Sequence, residues 1–304
     1  MCIKEEEGNK RVVKVQKRTL KQMGFVTALV AIPICHFLVF YVFINGSTIL
    51  LAFKNADNVF TFDNFEFLFD YFCSADSTLL EALINTLKFF VLGLIIFPVS
   101  LLFSYFLYKK IFLYKYFQII FFLPSIISAM VMVTLYKNIL NGPVSELWAK
   151  IFNMENAPLF FNSTKYALRS IMVYTVWTGL AGNMVIFNGT MARIPVEVLE
   201  SGKIDGVGFW REFVQLVVPL IWPTLSTLLL MSFIGIFTAS GPILLFTQGK
   251  YGTYTISYWI YEYTVVLQNY NYAAAAGIFF TVVGLPIIFG AKYLLNKLDK
   301  NIEY

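Results

Sequence analysis

The feature that most constrains this chain is a set of six apolar stretches, at about Gly24 to Ile44, Leu83 to Leu107, Phe117 to Leu135, Ile171 to Asn188, Leu216 to Phe237 and Ala273 to Leu295. Each approaches the roughly 20 residues that a helix needs to cross the hydrocarbon of a bilayer. No soluble core absorbs that much apolar surface. The composition agrees, with 58% hydrophobic and 13% charged residues and a mean hydropathy of +0.69. The expected fold is therefore an all-α, polytopic membrane protein with six transmembrane helices, because helices satisfy their own backbone groups in lipid. The expected division is a basic tail over 1–23, a membrane domain over 24–295 and a short tail over 296–304.

Lys and Arg in the flanks set the orientation, since cytoplasmic loops carry the excess. With the N-terminus inside, sixteen of the 23 Lys and Arg residues fall on the inner side, seven of them between Lys4 and Lys21. Both termini and the segment from Arg193 are thus expected in the cytoplasm of a cell-membrane protein. Outside, the run FTFDNFEFLFDYF between the first two spans alternates aromatics with acids, and it predicts a short interfacial helix. Cys2, Cys35 and Cys73 have no metal-ligand spacing, and Cys35 is expected as a small core residue beside a satisfied intramembrane His36.

Between the fourth and fifth spans lies a polar interruption, Arg193 to Pro223. Pro195 suits the first turn of a helix, Gly206 the left-handed residue that ends it, and Gly208 the cap of a second helix from Phe209 toward Pro219. The result is a helix, a sharp turn and a helix, over about 193–215. Arg193, Glu197, Glu200 and Ser201 share one face of the first arm by spacing, while Phe209, Phe213 and Leu216 stripe the second.

No chemistry of its own is legible in the chain. Gly202-Lys203 and Gly249-Lys250 lack the rest of a phosphate-binding loop, and there is no nucleophile elbow, zinc-helix pattern or Cys and His cluster. The chain is not expected to be an enzyme, nor to bind a metal, a cofactor or nucleic acid. The near absence of ionisable residues within the spans argues against a proton-coupled carrier. Energy for any transport would come from a partner.

The hairpin reads Glu200-Ser201-Gly202, three residues, Gly206, nine residues, Leu216, one residue, Val218-Pro219. This resembles the cytoplasmic motif of permease subunits in binding-protein-dependent ABC importers, Glu-Ala-Ala, three residues, Gly, nine residues, Ile, one residue, Leu-Pro. Ile204-Asp205-Gly206 and Pro219-Leu220-Ile221-Trp222-Pro223 are most similar to the carbohydrate-uptake branch, and the segment from Ser240-Gly241-Pro242 resembles that branch's Gly-Gly-Pro and Thr-rich segment, with Ser240 departing from the double glycine. The resemblance implies a type I importer permease fold in which the hairpin couples to an ATPase. Glu200 would pair with a basic group there, Gly206 would make the turn and Pro219 would start the next span, while Asp205, by its place at the turn, is expected to cap the free N–H groups there. ATP and Mg would sit on that ATPase. The implied partners are a second permease, two ATPase copies, a solute-binding protein and a sugar.

Within the fourth span Thr175, Thr178, Gly179 and Gly182 fall at i, i+3, i+4 and i+7, with Asn183 beside them, and Ser232 and Gly235 repeat the spacing in the fifth. Small residues let membrane helices pack closely. The sharper expectation is that these stripes face a translocation cavity, where a sugar meets hydroxyls and amides. An importer permease for an amino acid, phosphate or peptide, a stand-alone carrier or channel, and a membrane scaffold are the alternatives.

Overall fold

The computed structural model describes residues 22–299 apart from 56 and 75–77. Most of the N-terminal basic tail and of the C-terminal tail lies outside the described residues. Every regular element described is helical. Four helices are each long and apolar enough to cross a membrane alone: α1 (Gln22–Ala52), α3 (Thr78–Tyr108), α6 (Ala167–Met191) and α12 (Tyr270–Asp299). The count rises to six only where each of two bent helix pairs is taken as one span. The first is α4 (Tyr114–Ile126) with α5 (Ala129–Ile151), bent by 115°, and the second is α8 (Phe209–Leu220) with α9 (Trp222–Ile234), bent by 74°.

The bends correct the expectation of two continuous spans at Phe117–Leu135 and Leu216–Phe237. Prolines stand at both, one turn before the first break and on either side of the second. Pro124 has no N–H to give to the carbonyl of Ile120, and the Nε1–H of Trp177 on α6 donates to that carbonyl instead, at 3.2 Å. One turn later Ile127 is extended (φ −87, ψ 142) and the chain turns away into α5. In the second pair Pro219 closes α8, Ile221 leaves helical geometry (φ −98, ψ 4) and Pro223 sits in the first turn of α9. Pro219 therefore precedes the break, and the membrane helix starts at Trp222.

Packing centres on α3, whose most extensive contact is with α6. Phe97 meets Phe187 edge to face at 5.2 Å there, and Gly179 lets the side chain of Ile96 approach to 3.4 Å of where a Cβ would stand. α12 packs on α9 and on the end of α1. The interfacial helix appears as α2 (Asp63–Cys73), with Phe67 stacked on Tyr272 at 4.1 Å and Asp63, Glu66 and Asp70 exposed. By contrast no residue from 22 to 45 is buried. Cys35 and His36 thus lie on an outward surface of α1, and neither is in the chain's own core; His36 stacks on Phe40 at 4.6 Å.

At the end of the bundle remote from the hairpin, residues 240–255 form a compact loop held against α3. It carries the short helix α10 (Ile243–Phe246) and leads into α11 (Ile256–Tyr261). Buried Asn85 donates to the carbonyls of Gly252 (3.1 Å) and Tyr254 (2.9 Å), and buried Thr86 accepts from the N–H of Ile256 at 2.9 Å. Thr247 bonds Thr253 at 2.6 Å, and Ser240 bonds Thr255 at 3.0 Å. Tyr254, half-buried and donating to Glu262 at 3.0 Å, has its phenol pushed well above the usual range by desolvation and by that carboxylate. Gly241 is required by close approach, since a Cβ there would stand 2.7 Å from Ile171 and 2.9 Å from Thr175 Oγ1. Gly241→Val is expected to cost about 1–3 kcal/mol by overpacking. A lowered unfolding midpoint in detergent would verify this, and an unchanged midpoint would refute it.

Candidate functional site

The hairpin has the predicted form. Its first arm, α7 (Val196–Ile204), is preceded by Pro195, which caps the helix from outside (φ −59, ψ 133) where the first turn was expected. The turn closes on backbone alone. Val207 N–H bonds the carbonyl of Gly202 at 2.9 Å and Gly206 N–H that of Lys203 at 3.1 Å, around Gly206 at φ +74. This is the six-to-one and five-to-two pattern of a Schellman termination, for which glycine is the unstrained residue. The carboxylate of Asp205 therefore caps nothing among the described residues and is exposed, a correction to its expected role. Gly208, extended at φ −75 and ψ 165, opens α8 as predicted.

The two arms touch along one seam and leave the opposite surface free. Leu199 and Gly202 are buried, and a Cβ on Gly202 would meet Leu216 Cδ1 at 2.7 Å, so the smallest residue lets the arms close. Phe209 and Phe213 pack on Tyr105 of α3, both at 4.8 Å between ring centres. Glu197, Glu200, Ser201, Lys203, Asp205 and Gly206 face outward, and Ile204 projects from the tip at 86% exposure. An apolar tip ringed by charges is a shape for insertion into another surface.

The spacing could not reveal one component of this site. Lys109, the first residue after α3, makes an ion pair with Glu212 of α8, with the two side chains 20% and 6% exposed. It is the one ion pair among the described residues, and its partners stand 103 positions apart in sequence. The α8 helix widens into a π-turn at this point, over Glu212–Val217.

The small-residue stripe divides on inspection. Thr175 packs beneath Gly241, and Gly179 accommodates Ile96, so both serve helix packing. The hydroxyls of Thr175, Thr178 and Ser232 donate to Ile171, Tyr174 and Leu228 in their own helices at 2.9, 3.1 and 3.1 Å, which leaves their oxygens as acceptors. Gly182 is exposed, with nothing within 4 Å of a Cβ, and Asn183 is half-buried. One turn nearer the hairpin, Val185 and Asn188 border a 350 Å³ cavity with Tyr108, Lys110, Tyr114 and Gln118. In the fifth span α9 ends at Ile234, so Gly235 lies just past its end. α9 packs chiefly on α12 and α3.

Residues 103–302 match the family model described as the binding-protein-dependent transport system inner membrane component. The chain belongs to this family. Among curated relatives it is 25% identical over 267 residues to Protein LplB of Bacillus subtilis, covering 83% of this chain and 82% of the relative. It is 24% identical over 204 residues to the maltose/maltodextrin transport system permease protein MalF of Escherichia coli K12, covering 60% of this chain and 38% of the relative. The chain thus matches well under half the length of MalF. Its fold is similar to a chain in the crystal structure of a bacterial ABC transporter involved in import of the acidic polysaccharide alginate. There the TM-score is 0.76 at 25% identity, with 92% of this chain and 98% of that chain covered. The family match begins inside α3 and includes the whole hairpin, so a permease fold of the ABC importer type, crossing the membrane several times, is established for this chain.

Proposed function

We propose that the chain is one transmembrane subunit of an ATP-driven importer for a sugar or oligosaccharide. It forms half of the translocation path, and a second, similar permease forms the rest. Two copies of a cytoplasmic ATPase subunit bind ATP and Mg, and an extracytoplasmic binding protein delivers the solute. The observation that carries this reading is the hairpin, with a rigid glycine turn and an exposed tip standing directly between α6 and the bent α8–α9 span. Family membership supports the binding protein, and the maltodextrin and alginate relatives support a carbohydrate. The excess of Lys and Arg on the hairpin side supports cytoplasmic termini.

In this mechanism the hairpin binds a groove of the ATPase through Glu200, Ser201, Asp205 and the Ile204 tip. Closure of the ATPase pair displaces the hairpin as a unit, because Gly202 and Leu216 lock its arms together. The displacement enters the membrane through α6 directly and through the bend at Ile221 into α9. The two ends of the path then open in alternation, as ATP binding favours one arrangement over the other. Thr178, Gly182 and Asn183 line the path on α6, and Ser232 of α9 and Gly235 just past its end border it.

Tagged chain extracted from membranes in mild detergent is expected to bring down an ATPase subunit and a second permease. Hydrolysis by that complex in proteoliposomes is expected to rise when a sugar-loaded binding protein is added. Transport by the purified chain alone, with no ATPase associated, would overturn the assignment.

A further inference from the structure

We infer that the pair between half-buried Lys109 and buried Glu212 is a positioning device that makes the end of α3 and the coupling hairpin move as one body. The inference rests on the coupling role proposed for the hairpin and adds the route by which its movement reaches α3.

Adhesion alone does not require this pair. Tyr105 already packs on Phe209 and Phe213, and Phe106 stacks on Phe209 at 5.6 Å, so an apolar seam joins α3 to α8 without charge. Removing two charges from water costs more than such a seam needs, and an apolar pair of similar volume would hold it at least as firmly. What the charges add is direction. Glu212 is 4% exposed, and if α8 slid or rotated by one residue against α3 its carboxylate would be left buried without Lys109. The seam can slip, but the ion pair cannot. Its position supports this reading, since Glu212 opens the π-turn of α8, and Arg211 beside it is exposed. Lys109 in turn lies over the ring of Tyr105 at 5.8 Å, which fixes its stem. From there α3 makes its largest contact with α6, where Ile96 and Phe97 meet Gly179 and Phe187. A displaced hairpin therefore carries α3 with it, and α3 presses on the helix that bears the path residues.

The test uses the complex purified with its own ATPase, followed by amide hydrogen exchange without nucleotide and after trapping with ATP and vanadate. In the unaltered complex, residues 101–110 and 196–211 are both expected to change protection on trapping. In Lys109→Met, and in Glu212→Gln, which keeps the side-chain shape, the hairpin should still respond. The response at 101–110 should fall by about tenfold, the size of a typical coupling loss. The charge-swapped double variant, Lys109→Glu with Glu212→Lys, should recover it. A full response at 101–110 in the single variants would overturn the inference. So would loss of ATPase association in them, which would make the pair part of the docking structure, or a double variant that recovers nothing. An unaltered complex whose hairpin does not respond to trapping would instead overturn the coupling role itself.

Discussion

Gly206→Asp is expected to reduce transport by about 50-fold, within the range of a lost coupling energy, while insertion and subunit association persist. Gly206 has φ +74, so any other residue pays for a left-handed conformation, at about 1–2 kcal/mol and least for Asp and Asn. No atom lies within 4 Å of the Cβ that would be added, so nothing inside the chain is displaced. The strain is too small to unfold a helical membrane domain. The carboxylate, however, would join Asp205 and Glu200 on the surface proposed to meet the ATPase, where it adds like charge and changes the shape of the tip. Gly206→Asn supplies the control, with the same backbone cost and no charge, and should retain most of the transport. The measurement is solute taken up per ATP hydrolysed in the reconstituted complex. Equal values for the glycine and aspartate forms would remove the turn from the coupling site.

The second large effect is expected at Gly182. With open space around it and exposure on α6, Gly182→Leu should assemble normally, melt at the unaltered temperature and abolish uptake by filling the path. Gly179→Leu, one turn earlier on the stripe, should behave differently. Its side chain would meet Ile96, so it should destabilise the α3–α6 contact by about 1–3 kcal/mol through overpacking. The two glycines look equivalent by spacing. Parallel uptake and thermal-unfolding measurements on both variants separate a path residue from a packing residue. Normal uptake by Gly182→Leu would place the path elsewhere.

Much of this architecture was legible from the sequence because its causes are local. The apolar, many-helix character follows from runs of apolar residues, which place four spans outright and two more as bent pairs, and α2 follows from its aromatic and acidic pattern. The hairpin turn follows from the conformational freedom of Gly206 and the position of Gly208. Prolines at 124, 219 and 223 were visible too, but their consequence was not. Whether a proline kinks a helix or ends it depends on what satisfies the freed backbone groups, and Trp177, which does so for Ile120, lies 57 positions away. The same limit applies to Pro195, which caps α7 from outside, and to Asp205, whose expected capping the backbone hydrogen bonds of the turn make unnecessary.

By itself, the sequence determined that this chain is a many-helix membrane protein with a glycine-turned hairpin, because hydropathy and backbone freedom are properties of short stretches. Only the tertiary structure decided which groups meet. It joined Lys109 to Glu212, seated Gly252 and Tyr254 on Asn85, gave Gly179 to Ile96 and left Gly182 open. It also showed α1 from 22 to 45 uncovered by its own chain. The physical reason is common to these cases. A buried charge or amide tolerates its place only where a partner is brought to it, and the packing of helices remote in sequence brings that partner.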